Sequence, residues 1–237
     1  MITEESFVDF KCPYCSELVS FPQESAGFAQ ACPNCTESVI VPDDGSEVGK
    51  QIPLPIKTSR LSLRRLTSHD WKDLLELMSD EEFFLYQDGV PLDEDHVLRW
   101  LESDAHVKLT TPEQPFYLGL EVQDGGKLIG YLCLTFTDPQ RLQVTFSIGL
   151  NRGFQRQGFA LETVEALLGF CFEDLKLHRV AGWCDSRNVA ACRLLEKAGF
   201  RREGEFLKSR WVHGEWTNSI WYALLEEDCA ETESQAT

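Results

Sequence analysis

The chain has 237 residues, of which 43% are hydrophobic and 26% are charged, proportions typical of a soluble globular protein. Its formal net charge of -17 disfavours contact with nucleic-acid phosphates and anionic membranes. The same charge attracts cations such as basic peptides, polyamines or aminoglycosides, or serves only solubility. Because neither a secretory signal nor a long apolar segment is found, the sequence predicts a cytoplasmic protein without a membrane span.

An internal repeat opens the chain. A Cys-Pro-x-Cys motif, followed by a Glu and a Val-x-apolar-Pro ending, occupies residues 12–22 and recurs at residues 32–42. Two equivalent halves predict a small pseudo-symmetric module, which we place at residues 1–45.

The four cysteines of this repeat have the spacing C-x2-C-x16-C-x2-C. Two Cys-x-x-Cys turns can aim four thiolates at one tetrahedral point, the geometry of structural zinc. Redox pairs and unligated core cysteines are the alternatives, but a thioredoxin-like pair would begin a helix. The sequence therefore predicts a zinc ribbon with structural Zn2+, and we expect it to contact proteins or act as a scaffold. The predicted ligands are Cys12, Cys15, Cys32 and Cys35.

Residues 43–57 contain Asp, Gly, Ser and two prolines without a hydrophobic period, and we place a linker at residues 46–57. From residue 58 to 228 strand-like and helix-like patterns follow one another, and residues 229–237 form a predicted acidic tail. The order of elements predicts an α/β (α+β) fold with helices on the faces of a sheet. The predicted strands are 60–64, 116–122, 127–137, 143–150, 179–184, 201–208 and 218–225, and the helices begin near 68, 93, 158 and 188.

The loop at residues 148–160 lies between a predicted strand and a strongly periodic helix. Small residues at Gly158 and Ala160 leave backbone N–H groups accessible, and the helix start adds a positive dipole end. No acidic residue occurs between 139 and 161, whereas three arginines do: Arg141, Arg152 and Arg156. We expect a cradle for a pyrophosphate, with an ordinary surface loop as the alternative. Neither a Walker motif nor a dinucleotide fingerprint is present.

The run Gln155-x-x-Gly158-x-Ala160 resembles the acyl-CoA signature of the GNAT superfamily. The stretches 178–180, 188–190, 193–200 and 203–204 resemble one branch of it, which contains the ribosomal-protein N-terminal (alanine) acetyltransferases. The resemblance covers residues 58–228 and implies a mixed, mostly antiparallel sheet flanked by helices. It also implies an acetyl-CoA-dependent N-acetyltransferase.

By this resemblance, backbone amides of the loop hold the CoA pyrophosphate and the preceding strand end pairs with the pantetheine. Asn188 would hydrogen-bond the pantetheine arm, and a helix N-cap is its alternative role. The residues so implied are Ile148, Leu150, Gln155, Arg156, Gln157, Gly158, Phe159, Ala160 and Asn188.

The catalytic acid and base cannot be assigned, because the sequence departs from the family pattern. Ala191 stands where the branch often has Ser, and Asn218 stands where Asp is common. The strand 143–150 has no carboxylate. His213 and Glu215 lie in a predicted loop near the substrate region, where solvated side chains are the more common outcome.

We expect three of the tryptophans and the remaining cysteines to serve packing. We expect the tryptophans at 211, 216 and 221 to pack in the core and at the sheet edge. The other cysteines are expected to be buried small hydrophobes, and these are Cys133, Cys171, Cys184, Cys192 and Cys229.

Three functions remain open from the sequence. The first is acetylation of a primary amine on a protein or peptide N-terminus, and the second is acetylation of a small amine such as an aminoglycoside or polyamine. The third is a non-catalytic CoA-binding or docking protein. The loop at residues 148–160, called the phosphate loop below, argues against the third function. The missing catalytic acid and base argue for it.

Overall fold

The structure is a computed structural model that describes residues 6–43, 45–46, 48–110, 114–138 and 142–229. In chain order its strands are β1 (Phe7–Lys11), β2 (Leu18–Pro22), β3 (Ala29–Ala31), β4 (Ser38–Ile40), β5 (Lys50–Gln51), β6 (Ile56–Lys57), β7 (Leu61–Arg65), β8 (Phe116–Val122), β9 (Leu128–Phe136), β10 (Gln143–Leu150), β11 (Arg179–Asp185), β12 (Arg201–Val212) and β13 (Glu215–Leu225). The helices are α1 (Trp71–Met78), α2 (Glu94–Asp104), α3 (Phe159–Gly169) and α4 (Val189–Lys197).

The main sheet has eight strands in the order β12-β13-β11-β10-β9-β8-β7-β6. Each recorded neighbour pair is antiparallel except β10 and β11, which run parallel and are connected through α3. A parallel pair needs a crossover connection, and the helix provides it. The mixed, mostly antiparallel sheet flanked by helices confirms the predicted fold class.

Helices cover both faces of this sheet. On one face α1 and α2 bury Leu74, Leu77 and Val97 against an apolar cluster that includes Leu128 of β9. On the other face α3 and α4 contribute to a larger core. Each fully buried aliphatic side chain stabilises the fold by about 1.5–3 kcal/mol. The two cores hold β9 and β10 in the middle of the sheet, where the site described below lies.

The N-terminal unit consists of two hairpins that repeat one another, as the sequence repeat predicts. β1 pairs with β2, and β3 pairs with β4, both antiparallel. The unit packs on the larger domain through a buried hydrogen bond of 2.8 Å between the hydroxyls of Ser38 and Thr110. Lys108 pairs with Glu37 at 2.7 Å, and Ala29 joins the main core.

Residues 46–57, predicted as a linker, contain two short strands. β5 pairs with β4 of the N-terminal unit, whereas β6 pairs with β7 at the edge of the main sheet. Two-residue strands are too short to give a hydrophobic period, so composition alone did not reveal them. The predicted acidic tail lies outside the described residues except for Cys229.

Most predicted elements agree with the structure. β8 and β10 have the predicted bounds, and α2 begins after Asp93, whose carboxylate accepts the N–H of His96. The helix predicted to begin near 158 is α3, which ends at Gly169 and continues as a π-helical turn, Phe170–Asp174. The final hairpin is longer than predicted because β12 reaches Val212. Within the described residues, no helix has the length and apolarity needed to cross a bilayer.

Candidate active site

Strands β10 and β11 pair only near their starts. Their parallel pairing ends at Thr145 and Ala181, among the described residues. β10 remains paired with β9 on its other side as far as Leu150. From Phe146 onward, the edge of β10 that faces β11 therefore has free backbone groups, which an extended ligand can pair with as an added strand.

A cavity of about 360 Å³ opens at this divergence. Residues of β9, β10, β11, the start of α4 and the loop after α1 line it. Five aromatic side chains contribute to its walls: Phe83, Tyr86, Tyr131, Phe146 and Trp183. A concave site with apolar walls and a few polar groups is typical of small-ligand and substrate binding.

The charged groups of the cavity are paired. Among its described lining residues two are carboxylates, Asp88 and Asp185. Asp88 binds Arg210 at 2.5 Å and Asp185 binds Arg187 at 2.8 Å. Burial raises the pKa of Asp185, but the hydrogen bonds from Arg187 outweigh it and hold this pKa below its usual value. Both carboxylates are therefore held in ion pairs with arginines.

Seven side chains with a hydroxyl or thiol group also line the cavity: Tyr86, Tyr131, Cys133, Thr135, Thr145, Ser147 and Cys184. Burial raises the pKa of Tyr131 well above its usual value and that of Cys133 to about 11. Both groups therefore stay neutral at pH 7. They can orient an amine by hydrogen bonding, but they do not remove its proton.

The loop between β10 and α3 has the backbone of an anion site. Gly158 is the N-cap of α3 with φ of 86°, and Arg156 also has a positive φ of 58°. The backbone N–H groups of residues 156–161 have no hydrogen-bond partner in the described chain. Such N–H groups at a helix N-terminus, together with the helix dipole, bind phosphate groups.

Side chains of the loop stabilise the loop itself. Gln155 donates from Nε2 to the carbonyl of Leu150 at 3.1 Å, and Gln157 donates from Nε2 to the carbonyl of Gly153 at 2.8 Å. Their predicted contribution to cofactor binding through backbone amides stays a prediction. Phe159 is buried, and the side chain of Arg156 is exposed.

The remaining predicted cofactor residues divide between two places. Ile148 and Asn188 both line the cavity, whereas Leu150 lines the adjacent groove beside the phosphate loop. Asn188 accepts the N–H of Ala191 at 3.0 Å, so it is the N-cap of α4 as well as a cavity residue. Ala160 lies in the first turn of α3.

His213 and Glu215, predicted in a loop, lie at the tip of the β12–β13 hairpin. His213 has a positive φ of 47°, and its Nε2 lies 2.8 Å from the carbonyl oxygen of Phe84. Glu215 begins β13 and pairs with Arg187. Both side chains therefore join the hairpin to the rim of the cavity, and neither lines it.

Some of the tryptophans and cysteines that were predicted to serve packing are buried, and others are half-buried or exposed. Trp211 and Trp216 pack against each other at 5.4 Å on the edge hairpin, but both are more than half exposed and lie outside the core. Trp221 is half-buried. Cys133, Cys171 and Cys184 are buried, whereas Cys192 and Cys229 are half-buried.

Several residues of the site were not identified from the sequence. Phe83, Tyr86 and Asp88 follow α1 and lie far along the chain from the phosphate loop. Arg60 was assigned only to an alternating strand, although its guanidinium contacts the phosphate loop. No local pattern signals such contacts, since the topology alone brings these segments together.

The four repeat cysteines lie together in the N-terminal unit. Their Sγ atoms are all within 4.8 Å of one another. The Cys12–Cys35 and Cys15–Cys32 sulfurs are 3.7 and 3.9 Å apart. A tetrahedral site with Zn–S bonds of about 2.3 Å requires sulfurs about 3.8 Å apart, so this donor set fits zinc.

The two cysteine turns have the same hydrogen-bond pattern. In the first, Ser16 donates its N–H to the carbonyl of Cys12 at 2.9 Å, and in the second Thr36 donates to Cys32 at 2.9 Å. Ser16 and Thr36 both have φ of 63°. The sequence repeat thus corresponds to two equivalent turns that present their sulfurs to one point.

Comparison with known families places residues 60–201 in the Acetyltransferase (GNAT) domain. One curated relative is the uncharacterized N-acetyltransferase YnaD of Bacillus subtilis (strain 168). It is 30% identical over 176 residues, which cover 73% of this chain and 98% of the relative.

Solved structures agree with this assignment. The acetyltransferase (GNAT family) from Bacillus anthracis is 26% identical, with a TM-score of 0.66, and the match covers 73% of this chain and 98% of that one. Spermidine N-acetyltransferase from Vibrio cholerae, in complex with CoA and spermine, shares the fold. It is 22% identical with a TM-score of 0.63, and the match covers 72% of this chain and 98% of that one.

Proposed function

Because this chain belongs to the GNAT family of N-acetyltransferases, we propose that it acetylates the N-terminal amine of a protein or peptide, using acetyl-CoA. The observation that carries the acceptor assignment is the aromatic cavity at the β10–β11 divergence, whose carboxylates are both paired with arginines.

The residues that would hold acetyl-CoA fit such a ligand. The backbone N–H groups of residues 156–161, together with the α3 dipole, suit a pyrophosphate. The free edge of β10 at Ile148 suits the amides of a pantetheine arm, and Asn188 faces the same cavity. Among the predicted cofactor residues, Ile148 and Asn188 line the cavity, and Leu150 lines the separate groove beside the loop.

The chemistry requires little from side chains once the amine is in place. Acetyl-CoA supplies a thioester carbonyl that a neutral amine can attack. Thr145 and Ser147 line the cavity and can orient the amine by hydrogen bonding. The amide C–N bond forms and the thioester C–S bond breaks; the amine proton passes to water, and CoA leaves as a thiolate that takes a proton from water. Since the described lining residues include no free base, positioning of the amine makes the main contribution.

The cavity suits one amine with apolar surroundings better than a polycation. A polyamine needs several free carboxylates along its length, whereas Asp88 and Asp185 are already neutralised by Arg210 and Arg187. Tyr86 and Trp183 offer flat faces for the first side chains of a peptide. A flexible N-terminus can enter such a cavity with its remaining chain outside.

Polyamine acetylation is the second candidate. A separate groove of about 320 Å³ beside the phosphate loop is lined by Glu76, Asp80 and Glu82. The net charge of -17 attracts polycations to the whole surface. The fold is shared with a spermidine N-acetyltransferase, which is a property of that protein.

For the N-terminal unit we propose one structural zinc ion bound by Cys12, Cys15, Cys32 and Cys35. Four protein ligands leave no open position for a substrate, so the ion would stabilise the unit and take no part in catalysis. Such a small unit has little core of its own, and metal binding would provide its folding free energy. We propose that it is a scaffold that also offers a protein contact.

The test begins with calorimetric titration of the full chain with acetyl-CoA and with CoA. Three acceptors are then compared at equal concentration: a peptide with a free N-terminus, the same peptide with a blocked N-terminus and an internal lysine, and spermidine. Mass spectrometry records the addition of an acetyl group.

We expect micromolar acetyl-CoA binding and acetylation of the free N-terminus alone. Exclusive acetylation of spermidine would replace the proposal by the second candidate. Modification of the blocked peptide would point to lysine side chains. Absence of turnover with a broad peptide set, despite binding, would contradict an N-terminal amine acceptor.

A further inference from the structure

Glu162, in the first turn of α3, binds residues 58–60, which precede β7. Glu162 Oε1 accepts hydrogen bonds from Thr58 Oγ1 at 2.5 Å, Ser59 Oγ at 3.0 Å and the backbone N–H of Arg60 at 2.9 Å. Its other oxygen, Oε2, accepts from Arg60 Nε and pairs with Arg60 Nη2, each at 2.7 Å. Together these donors lower the pKa of Glu162 to about 2, although burial raises it.

The same arginine reaches the loop that precedes α3. Arg60 Nη1 donates to the carbonyl of Gln157 at 2.9 Å, and its guanidinium lies 4.1 Å from the centre of the Phe159 ring. A Cβ atom at Gly158 would lie 3.2 Å from Arg60 Nη2. Arg60 thus borders three consecutive residues of the loop while Glu162 fixes its orientation.

The Arg60–Glu162 ion pair favours anion binding at this loop in two ways. Glu162 lies in the first turn of α3, where an unpaired carboxylate would repel a phosphate, and Arg60 neutralises it. Residues 155–158 of the loop are also exposed, so this segment, if untethered, would lose conformational entropy when a ligand orders it. The ion pair orders the loop before any ligand arrives.

We propose that Arg60 is a positioning residue for acetyl-CoA, which holds the loop at residues 155–160 in its receptive conformation through its ion pair with Glu162. The inference rests on the proposed placement of the pyrophosphate at this loop. Arg60 acts through the backbone of Gln157 and through the ring of Phe159.

The chain offers a matched control four residues after Arg60, in β7. Arg64 of β7 also binds two carboxylates, Asp70 at 2.8 Å and Glu121 at 2.6 Å, and does not contact the loop in the described structure. Replacing Arg64 by Gln therefore removes a comparable ion-pair network without touching the loop. A purely structural role of Arg60 would make the two substitutions equivalent.

The experiment compares Arg60→Gln, Arg60→Lys, Glu162→Gln and the double variant with Arg64→Gln. Calorimetry gives the Kd for acetyl-CoA, and steady-state kinetics gives kcat and KM. We expect Arg60→Gln and Glu162→Gln each to raise the Kd about tenfold, the size of a lost charge-assisted hydrogen bond. The kcat at saturating acetyl-CoA should stay nearly unchanged, and Arg60→Lys should recover part of the affinity.

Because the two residues act as one pair, the double variant should bind no more weakly than either single variant. An unchanged Kd in Arg60→Gln would overturn the inference, and so would an equal loss in Arg64→Gln. If the unaltered protein bound no acetyl-CoA, both the inference and the proposed function would fall. If it bound acetyl-CoA while Arg60→Gln bound equally well, the inference alone would fall.

Discussion

Gly158 has a backbone conformation that favours glycine, and it also lies in the loop proposed to bind the pyrophosphate. Its φ of 86° lies in the left-handed region, where an L-residue costs about 1–2 kcal/mol. We predict that Gly158→Ala lowers the free energy of unfolding by about 1 kcal/mol. We also predict about tenfold weaker acetyl-CoA binding, because the added Cβ lies 3.2 Å from Arg60 Nη2 and displaces the loop.

Gly125 provides the control for this prediction. It lies in the turn between β8 and β9 with φ of 87°, and a Cβ there would meet no atom within 4 Å. Gly125→Ala should therefore lose similar stability in a denaturant titration and keep its affinity for acetyl-CoA. Equal affinities of both variants in calorimetry would show that the conformation of the loop at Gly158 is unrelated to the cofactor.

The pH dependence of the reaction follows from the protonation states in the cavity. Asp185 has a lowered pKa, and that of Cys133 is raised to about 11, so neither titrates near neutral pH. The reacting amine is therefore the group whose deprotonation controls the rate. We predict that kcat/KM rises tenfold per pH unit and levels near the pKa of the acceptor, about 8 for an α-amine.

Two acceptors with different amine pKa values test this prediction. The acceptors are two peptides whose N-terminal residues differ in α-amine pKa, and the pH at which kcat/KM levels should shift between them by the difference of the two pKa values. Kinetics at constant ionic strength would measure both profiles. A plateau at the same pH for both acceptors would instead reveal a titrating group of the protein, and would require a general base that the described cavity does not offer.

Helices and strands that are long and buried on one side were predicted correctly from the sequence. β8 and β10 alternate against two cores and have the predicted bounds. α4 was predicted from its N-cap Asn188 and from the glycine after it, and both are present in the structure. Local chemistry determines these features, so a single sequence is enough to find them.

Elements that depend on distant partners were not predicted. β6 has only two residues and exists because β7 offers an edge to pair with. β12 is exposed along most of its length, so its extension to Val212 shows no hydrophobic alternation. The cavity needs the loop after α1, the sheet and α4 together, and the sequence separates these by more than a hundred residues.

For the molecule as a whole, the N-terminal unit is attached to the catalytic domain at several points. The Ser38–Thr110 hydrogen bond is buried. The strand β6, which follows the unit in the sequence, pairs with β7 of the main sheet. Rigid attachment of this kind suits a scaffold role. If the unit binds zinc as proposed, loss of that ion would expose the surface of the catalytic domain that the unit covers.

The zinc hypothesis makes the last prediction. Cys32→Ser removes one of four sulfurs that lie within 4.8 Å of one another, so we expect purified protein to lose its zinc by elemental analysis. The N-terminal unit should unfold, because metal binding supplies most of its stability. We expect a lower thermal midpoint but unchanged acetyl-CoA affinity, since β7 and Glu162 hold residues 58–60 independently. Cys229→Ser, outside the cluster, is the control, and full zinc occupancy in Cys32→Ser would refute the four-cysteine site.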